Sequence, residues 1–354
     1  MKQTIFVTAG GTGGHIFPAL SVALALSQEY DVVWVGNANS LEERVAHNHQ
    51  IKFIAFRMKS LRGKGVIRKL IYPIILTKAV LSCIYYLVKY KPSCVIGFGG
   101  FIAFPLLFAA KLLFKPAILH EQNAVPGLTN KVLSHLVNKV LLGFPVDGFA
   151  VNKALLVGNP VRSDILDIRK NYTDITNRDK LNIMIIGGSL GAQIFNEKLP
   201  SFLLANATKV NSVVHQVGKN NVSQVQQLYQ GAPFDVLVTE FVDDMASLYK
   251  NSDLIICRSG ASTVAEVAAV GIAALFIPYL YAVDDHQYYN AKNLVDIDGA
   301  LLIRQQELTL EWFNQVFTNI DLALCKKIGY NASKSATPNT INDIIKQVRQ
   351  VIKR

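Results

Sequence analysis

The chain twice runs from a short apolar stretch through a glycine-rich turn into a helical pattern. The first instance is FVTAGGTGGHIFPAL, residues 6–20, with four glycines in five positions; the second is GGSLGAQIFN, residues 187–196. A glycine turn ahead of a helix lets a ligand approach bare backbone and exposes unpaired N–H groups at the positive end of the helix dipole, a ready seat for phosphate. Both turns sit in a chain that alternates short apolar runs with helical patterns, the signature of a parallel α/β sheet. Strands are expected at 4–8, 32–35, 53–56, 94–96, 117–120 and 140–142, then at 181–186, 212–216, 235–238, 254–257 and 273–277. Helices are expected at 17–28, 66–90, 190–204, 262–270 and 285–295.

With 354 residues, 51% of them apolar, the chain can fill two cores. The expected boundary lies at Asn159–Pro160, giving domains of 1–159 and 160–339, followed by the polar run RKNYTDITNRDK as a surface loop. The last segment, TINDIIKQVRQVIKR, reads as an amphipathic helix with Ile341, Ile344, Ile345, Val348 and Ile352 on one side and Thr340 and Asp343 as a capping pair. Cys83, Cys94, Cys257 and Cys325 are isolated, which argues against zinc ribbons and disulfide scaffolds and fits a reducing cytoplasm. The N-terminus reads as a strand, not a signal peptide.

The charge is concentrated. Thirteen Lys and Arg lie between Arg44 and Lys115, with no acidic residue from Val45 to His120, against a whole-chain net charge of +11. In the densest part, RMKSLRGKGVIRKLIYPIIL at 57–76, cations alternate with long aliphatic side chains. That mixture suits an anionic membrane surface better than nucleic acid, because a phosphate backbone gives aliphatic groups nothing to bury against. The apolar stretches 70–88 and VIGFGGFIAFPLLFAAKLLF are interrupted by lysine, proline or glycine, and are expected as buried elements of a soluble domain rather than spans.

Three constellations could carry chemistry. A dinucleotide fingerprint starting at Gly11 would need glycine where Ile16 stands, and VVWVGNAN ends on Gly36 and Asn37 where a ribose-binding acid belongs, so a nicotinamide or flavin enzyme is disfavoured. Residues 187–191 satisfy the G-x-S-x-G elbow of α/β-hydrolases, with His215 and His286 downstream, but no HGGG-type oxyanion motif accompanies it. The third is ICRSGASTVAEVAAVG, residues 256–271, where Ser262, Thr263 and a helix start could meet a pyrophosphate. There Glu266 has two readings, a capping box with Thr263 or an acceptor for a ribose diol.

Together GGTGGHIFPAL, GFGGF, HEQNAVPGLTNK, VGNPVR, GGSLGAQIFN, TEFVDDM, CRSGASTVAEVAAVG and DDHQYYNA, spread over residues 10–291, resemble the bacterial peptidoglycan glycosyltransferases that make lipid II. The resemblance implies a GT-B fold: two Rossmann-like α/β domains with parallel sheets around an interdomain cleft, the helix at about 340–354 returning to the first domain. It implies UDP-GlcNAc held mainly by the second domain. Val242 would meet the uracil and Glu266 the ribose, while Ser189, Ser262 and Thr263 would contact the diphosphate, with Ala261, Val264 and Ala265 as further UDP-GlcNAc-binding positions. Arg162 would lie near the donor, and Gln287 and Asn290 would bind the GlcNAc hydroxyls. From the first domain Thr12, Gly13, Gly14 and Asn123 match donor-contact positions, and Gly13, Gly14, Gly99 and Gly100 would offer backbone donors to the acceptor diphosphate. Where many relatives have glutamine, this chain has Leu190.

The implied reaction is inverting transfer of GlcNAc to the C4 hydroxyl of the muramoyl sugar in lipid I, without cofactor or essential metal. His15 is the expected base, since a neutral imidazole there can accept a proton; His120 and Glu121 are in reserve. The pairs Asp243–Asp244 and Asp284–Asp285 lack D-x-D spacing and are expected to cap helices or face solvent. The implied location is peripheral, on the cytoplasmic face of the bacterial inner membrane, in contact with lipid I and with scope for a cell-wall synthesis complex. A UDP-GlcNAc 2-epimerase, another GT-B glycolipid glycosyltransferase and a non-catalytic binder remain as rivals.

Overall fold

A computed structural model describes residues 2–58, 66–150, 152–168, 178–188 and 190–353, with the backbone alone for 66–70. Ser189, most of the basic part of 57–76 and most of the polar run at 169–180 therefore lie outside the described residues. The chain forms two compact units, residues 1–160 with 339–354, and residues 161–338.

In the first unit seven parallel strands are β1 (Thr4–Thr8), β2 (Asp31–Asn37), β3 (Lys52–Phe56), β4 (Cys94–Gly97), β5 (Ala117–Glu121), β6 (Lys139–Leu142) and β7 (Ala154–Leu156). Their order is β3-β2-β1-β4-β5-β6-β7. In the second unit six are β8 (Leu181–Ile186), β9 (Val210–Gln216), β10 (Asp235–Thr239), β11 (Leu254–Cys257), β12 (Ala273–Phe276) and β13 (Leu301–Leu302). They run β10-β9-β8-β11-β12-β13. The central strands β4, β11 and β12 are runs of small and apolar residues, buried throughout because helices cover both faces, and β5 is apolar up to its buried carboxyl-end pair His120–Glu121. In both sheets chain progression reverses beside the first strand, between β1 and β4 and between β8 and β11. At such a switch point the loops diverge and leave room for a ligand at the carboxyl ends of the strands.

The first unit has two cores, one on each face. One packs the helix Gly13–Leu26 and the C-terminal helix Thr340–Ile352 on the sheet, through Ile16, Ala19, Ala23, Ile344 and Val348. The expected Thr340–Asp343 capping pair does not form: Asn339 is the N-cap, and Thr340 donates to the Val157 carbonyl at 2.8 Å, tying the end of the chain to the strand edge. The other face packs the helices Val66–Tyr90 and Ala103–Leu112.

The helix Val66–Tyr90 departs from expectation. Its segment Ile71–Tyr90 has the length and composition to cross a membrane, with 22% of the most apolar window buried. Ala79, Val80, Cys83 and Leu87 enter the core, while Ile71, Ile74, Leu81, Tyr85 and Val88 stand exposed. The helix is thus a half-buried element with an uncovered apolar stripe. Its interrupting Lys78 lies exposed on the chain's outer side, so it does not prevent the inner side from packing.

Candidate functional site

At the switch point of the first unit, the turn after β1 is set by Gly11 at φ +98°. Thr12 is extended and starts the helix without a side-chain cap, so the first-turn N–H groups of Gly13 and Gly14 point to the strand ends. The helix begins at Gly13, one turn before the expected 17, and accommodates Pro18 in its second turn. The loop after β4 closes on this turn. Gly99 and Gly100 have φ of +90° and +77°, and a Cβ on Gly100 would lie 2.2 Å from the Gly10 carbonyl oxygen. Glycine at 100 is therefore required by backbone packing as well as by φ. Gly99 is buried, its hypothetical Cβ 2.9 Å from the Asn130 amide and 3.3 Å from the His15 ring.

His15 is part-exposed, with Nδ1 2.8 Å from Gln122 Oε1. The two reserve residues are not available as bases. His120 is fully buried, bonded through Nε2 to the Gly158 carbonyl and through Nδ1 to the Gln122 amide, and burial pushes its pKa down to about 4. Glu121 is 1% exposed and accepts from the backbone of Asn123 and Gly127 and from the side chains of Asn123 and Asn130. It shapes the loop that carries Asn123, whose amide is turned inward onto that carboxylate.

The second unit repeats the plan with different side chains. Gly188 and Gly191 have φ of +91° and +74°, and a Cβ on Gly191 would meet the Val217 carbonyl at 2.3 Å. The turn is fastened by Gln216, which accepts from Gly187 N, and by Asn196, which donates to Val217 O. Leu190 projects into solvent, 88% exposed. Across the switch point β11 leads through Arg258–Gly260 into the helix Ala261–Val270. Ser259 and Ser262 each keep a buried hydroxyl with no partner among the described residues. Buried hydroxyls are seldom left unpaired, so these are groups awaiting an acceptor, at the start of a helix whose Gly260 cap offers no side chain. Ala261 and Val264 are buried, whereas Thr263 and Ala265 are part-exposed.

Because the helix starts at Ala261, Thr263 is already its third residue, and the capping box with Glu266 does not form. Glu266 instead accepts the hydroxyl of the fully buried Tyr249 at 3.1 Å. Burial raises its pKa, the Arg162 cation and the Tyr249 bond draw it back, and Asp164 adds to the rise. Arg162, 3.7 Å from Asp164, is thereby brought near Glu266 by the short helix Ser163–Leu166. Val242 is part-exposed on the loop after β10. Gln287 accepts from Tyr279 N at 2.8 Å, and Asn290 is fully buried, donating to Ser259 O at 3.2 Å.

Three further residues escaped sequence reasoning: Gln122, Tyr249 and Arg258. Arg258 spans the carbonyls of Ile277 and Pro278 and Gln305 Oε1, with its guanidinium 4.7 Å from the Phe195 ring centroid, and burial pushes its pKa down to about 10. Gln122 and Arg258 had only their places inside HEQN and CRSGAS as a signal, which named no role for them, and Tyr249 had none. Neither expected pair of aspartates is free on its own: Asp244 caps the helix Met245–Asn251, and Asp285 pairs with Arg304 at 2.8 Å. The hydrolase reading fails on its histidines. His215 is buried against Tyr229 with its pKa down to about 3, and His286 bonds the Val283 carbonyl. A hollow of about 660 Å³ lined by Ser223, Gln227, Tyr229, Phe234 and Val236 lies along β10, away from the switch-point loops, and has no acidic, basic or histidine side chain in its lining.

Comparison with known proteins agrees with this arrangement. Residues 5–142 match the glycosyltransferase family 28 N-terminal domain and residues 182–348 the family 28 C-terminal domain. The UDP-N-acetylglucosamine–N-acetylmuramyl-(pentapeptide) pyrophosphoryl-undecaprenol N-acetylglucosamine transferase of Neisseria gonorrhoeae is 41% identical over 345 residues, covering 97% of each chain. The crystal structure of MurG from Acinetobacter baumannii superposes with a TM-score of 0.85 at 39% identity, over 98% of this chain and 99% of that one. A UDP-GlcNAc 2-epimerase from Neisseria meningitidis shares the fold alone, at TM-score 0.64 and 16% identity over 98% of this chain and 99% of its own. Two family 28 domains with glycine-lined switch points, and identity of this depth over nearly the whole length, place the chain in the GT-B family of UDP-N-acetylglucosamine–N-acetylmuramyl-(pentapeptide) pyrophosphoryl-undecaprenol N-acetylglucosamine transferases.

Proposed function

We infer that this protein transfers GlcNAc from UDP-GlcNAc to the muramoyl C4 hydroxyl of undecaprenyl-diphospho-MurNAc-pentapeptide, converting lipid I to lipid II for peptidoglycan synthesis. The observation that carries the reading is the full-length identity to enzymes of that name, joined to a phosphate-ready helix start at each switch point. The epimerase reading rests on fold likeness only, and nothing at the site favours it.

The donor side is assigned to the second unit. Glu266, its carboxylate destabilised by burial and held from one side by Tyr249, accepts the two ribose hydroxyls, which supply the hydrogen bonds it lacks. Ser262 and Ser259 turn their unpartnered hydroxyls to the diphosphate, with the N–H groups at Ala261, Ser262 and Thr263 behind them. Ser189 is assigned the same role from its position in the turn. Val242 contacts the uracil, Arg162 balances charge near the ribose, and the amide of Gln287 is the group left for a sugar hydroxyl. Asn290, bonded to Ser259, shapes the site from beneath.

Chemistry is a single displacement. The acceptor C4 oxygen attacks the anomeric carbon, the C1–O bond to phosphate breaks, the hydroxyl proton passes to the imidazole of His15, and UDP leaves carrying the electron pair. Fixed N–H dipoles meet the charge that grows on the leaving diphosphate without having to reorganise. Gly13, Gly14, Gly99 and Gly100 offer N–H groups to the acceptor diphosphate in the first unit, beside Thr12 and Asn123.

The acceptor's polyprenyl tail implies work at a membrane surface. The exposed positions Ile71, Ile74, Lys78, Leu81, Tyr85 and Val88 repeat at alternate spacings of three and four, one helical face on which Lys78 sits among apolar side chains with exposed Lys89 beside it, a pattern suited to a helix lying in a lipid interface. Together with the basic stretch 57–76 it seats the first unit on the cytoplasmic leaflet of the inner membrane. Radiolabelled UDP-GlcNAc with a short-chain lipid I analogue tests the reaction. Labelled disaccharide lipid and free UDP are expected, while ManNAc would establish the epimerase instead. Co-sedimentation with vesicles tests the docking, which fails if binding ignores both anionic lipid content and salt.

A further inference from the structure

Behind His15 lies a chain of buried hydrogen bonds whose directions can be worked out one after another. His120, at the carboxyl end of β5, is 0% exposed and packed on Phe98 at 5.5 Å between ring centroids. Its Nε2 lies 3.0 Å from the Gly158 carbonyl, which can only accept, so Nε2 carries the ring proton. A buried ring with no carboxylate against it stays neutral and holds that one proton, which leaves Nδ1 as an acceptor. The Gln122 side chain is 3.1 Å from Nδ1, so it must turn its NH2 that way. The amide is then fixed, and its carbonyl Oε1 faces His15 Nδ1 at 2.8 Å. Oε1 can only accept, so His15 donates from Nδ1 and keeps its lone pair on Nε2. The series is anchored at its middle as well, since Asn159 Nδ2 donates to the Gln122 backbone carbonyl at 3.0 Å.

We propose that His120 and Gln122 are positioning residues that hold His15 in its Nδ1–H tautomer, leaving Nε2 as the basic nitrogen. A histidine side chain free in water favours the opposite tautomer, with the proton on Nε2. The relay therefore reverses an intrinsic preference and uses a neutral amide, not a carboxylate, to do so. When Nε2 takes the proton of the acceptor hydroxyl, Nδ1–H still donates to Oε1, and nothing along the relay has to move. His15 Nε2 has no partner among the described residues, and the ring is part-exposed. This rests on the reading of His15 as the base, but the tautomer can be read without turnover.

The test is ¹⁵N NMR of protein labelled at histidine, with the His15→Asn variant assigning the His15 signals, alongside steady-state kinetics of Gln122→Met and Gln122→Glu. In the wild type the neutral His15 ring is expected as Nδ1–H. Gln122→Met removes the acceptor at similar volume, so the signal should move toward Nε2–H and kcat fall about 10²-fold, with KM for UDP-GlcNAc within about twofold. That is smaller than the ~10⁴ seen when a wrong tautomer is imposed in a serine-protease triad, where a charged partner is lost too. Gln122→Glu keeps an oxygen acceptor toward Nδ1 and should retain the Nδ1–H signal and recover most of kcat. An Nε2–H ring in the wild type overturns the proposal whatever the variants do, and so does an unchanged tautomer and kcat in Gln122→Met. If His15→Asn keeps full turnover while the wild type shows Nδ1–H, the relay stands and the assignment of the base falls.

Discussion

The two switch points share a backbone plan and differ in what their strand ends carry. In the first unit the turns after β1 and β4 meet backbone to backbone at Gly10 and Gly100, and the polar side chains behind them, His120, Glu121 and Gln122, are all buried and bonded to protein. In the second unit the tight glycine contact lies on the other side of β8, between Gly191 and the Val217–Gly218 turn. Its β11 side keeps unpartnered hydroxyls on Ser259 and Ser262 and a carboxylate with one protein donor. In the first unit a histidine–amide relay fixes one part-exposed imidazole in place, and the buried atoms left unpartnered around it among the described residues are Thr8 Oγ1 and the amide oxygens of Asn130 and Asn159; in the second they include two serine hydroxyls at a helix start. The same fold thus supplies an uncapped helix start twice, and the side chains behind it differ: a histidine–amide relay in the unit proposed to handle the proton, hydroxyls and a buried carboxylate in the unit proposed to hold the nucleotide.

The sharpest way to break this contrast is His15→Ala. If the first switch point handles the proton, kcat should fall by about 10²–10⁴ while UDP-GlcNAc affinity, measured by calorimetry, stays within about twofold. Unchanged turnover would erase the distinction.

Acid stability probes what the units have in common, a buried neutral histidine in each. His120 and His215 take a proton near pH 6.5 when unfolded but only at about 4 and about 3 when folded. Below pH 6.5 the unfolded chain therefore binds more protons, and stability should decline as pH falls toward 4, by on the order of 3 kcal/mol for His120 alone. Denaturant midpoints across pH 4 to 7 measure it, and a flat profile would mean that these rings do not stay neutral.

Glu266→Gln tests the nucleotide side. Tyr249 keeps a partner, but the ribose loses an ionised acceptor. KM for UDP-GlcNAc should rise about 10- to 100-fold, the equivalent of roughly 1.5–3 kcal/mol, with kcat little changed. A 2′-deoxyribose donor should lose much of its disadvantage in this variant. If wild type and variant discriminate equally against that donor, Glu266 does not hold the ribose.

The smallest effect separates packing from binding among the glycines. Gly100→Ala forces a Cβ against the Gly10 carbonyl at positive φ and should cost about 2 kcal/mol of stability. Gly14→Ala meets only Thr12 Oγ1 at 3.6 Å, so its melting temperature should stay within a few degrees while turnover drops. Equal destabilisation by both would make Gly14 structural.

Much of this was legible because buried parallel strands leave unmistakable traces. β1, β8 and β11 have the bounds that their apolar runs indicate, since helices on both faces exclude polar residues. The edge strands β7 and β13, three and two residues long, were not legible. They exist because β6 and β12 offer unpaired backbone groups, not because their own residues prefer extension. The start of the helix Gly13–Leu26 was misplaced for a related reason: glycine's poor helix propensity hides a turn that the loop after β4 holds in position. For Glu266 the sequence left a capping box and a ribose acceptor open, and the fold removes only the first: Thr263 is the third helical residue, and the carboxylate turns to Tyr249, seventeen residues away. Gln122 was invisible as an actor, having no charge to mark it.

By itself the sequence determined the alternation of strands and helices, the two glycine turns and the family, all of which depend on local composition and short spacings. The tertiary structure alone decided which polar groups are satisfied and which are left open. A hydrogen bond's partner and direction follow from which strand ends meet, and residues as distant as Gly158, His120 and His15 come together only when the sheet has formed.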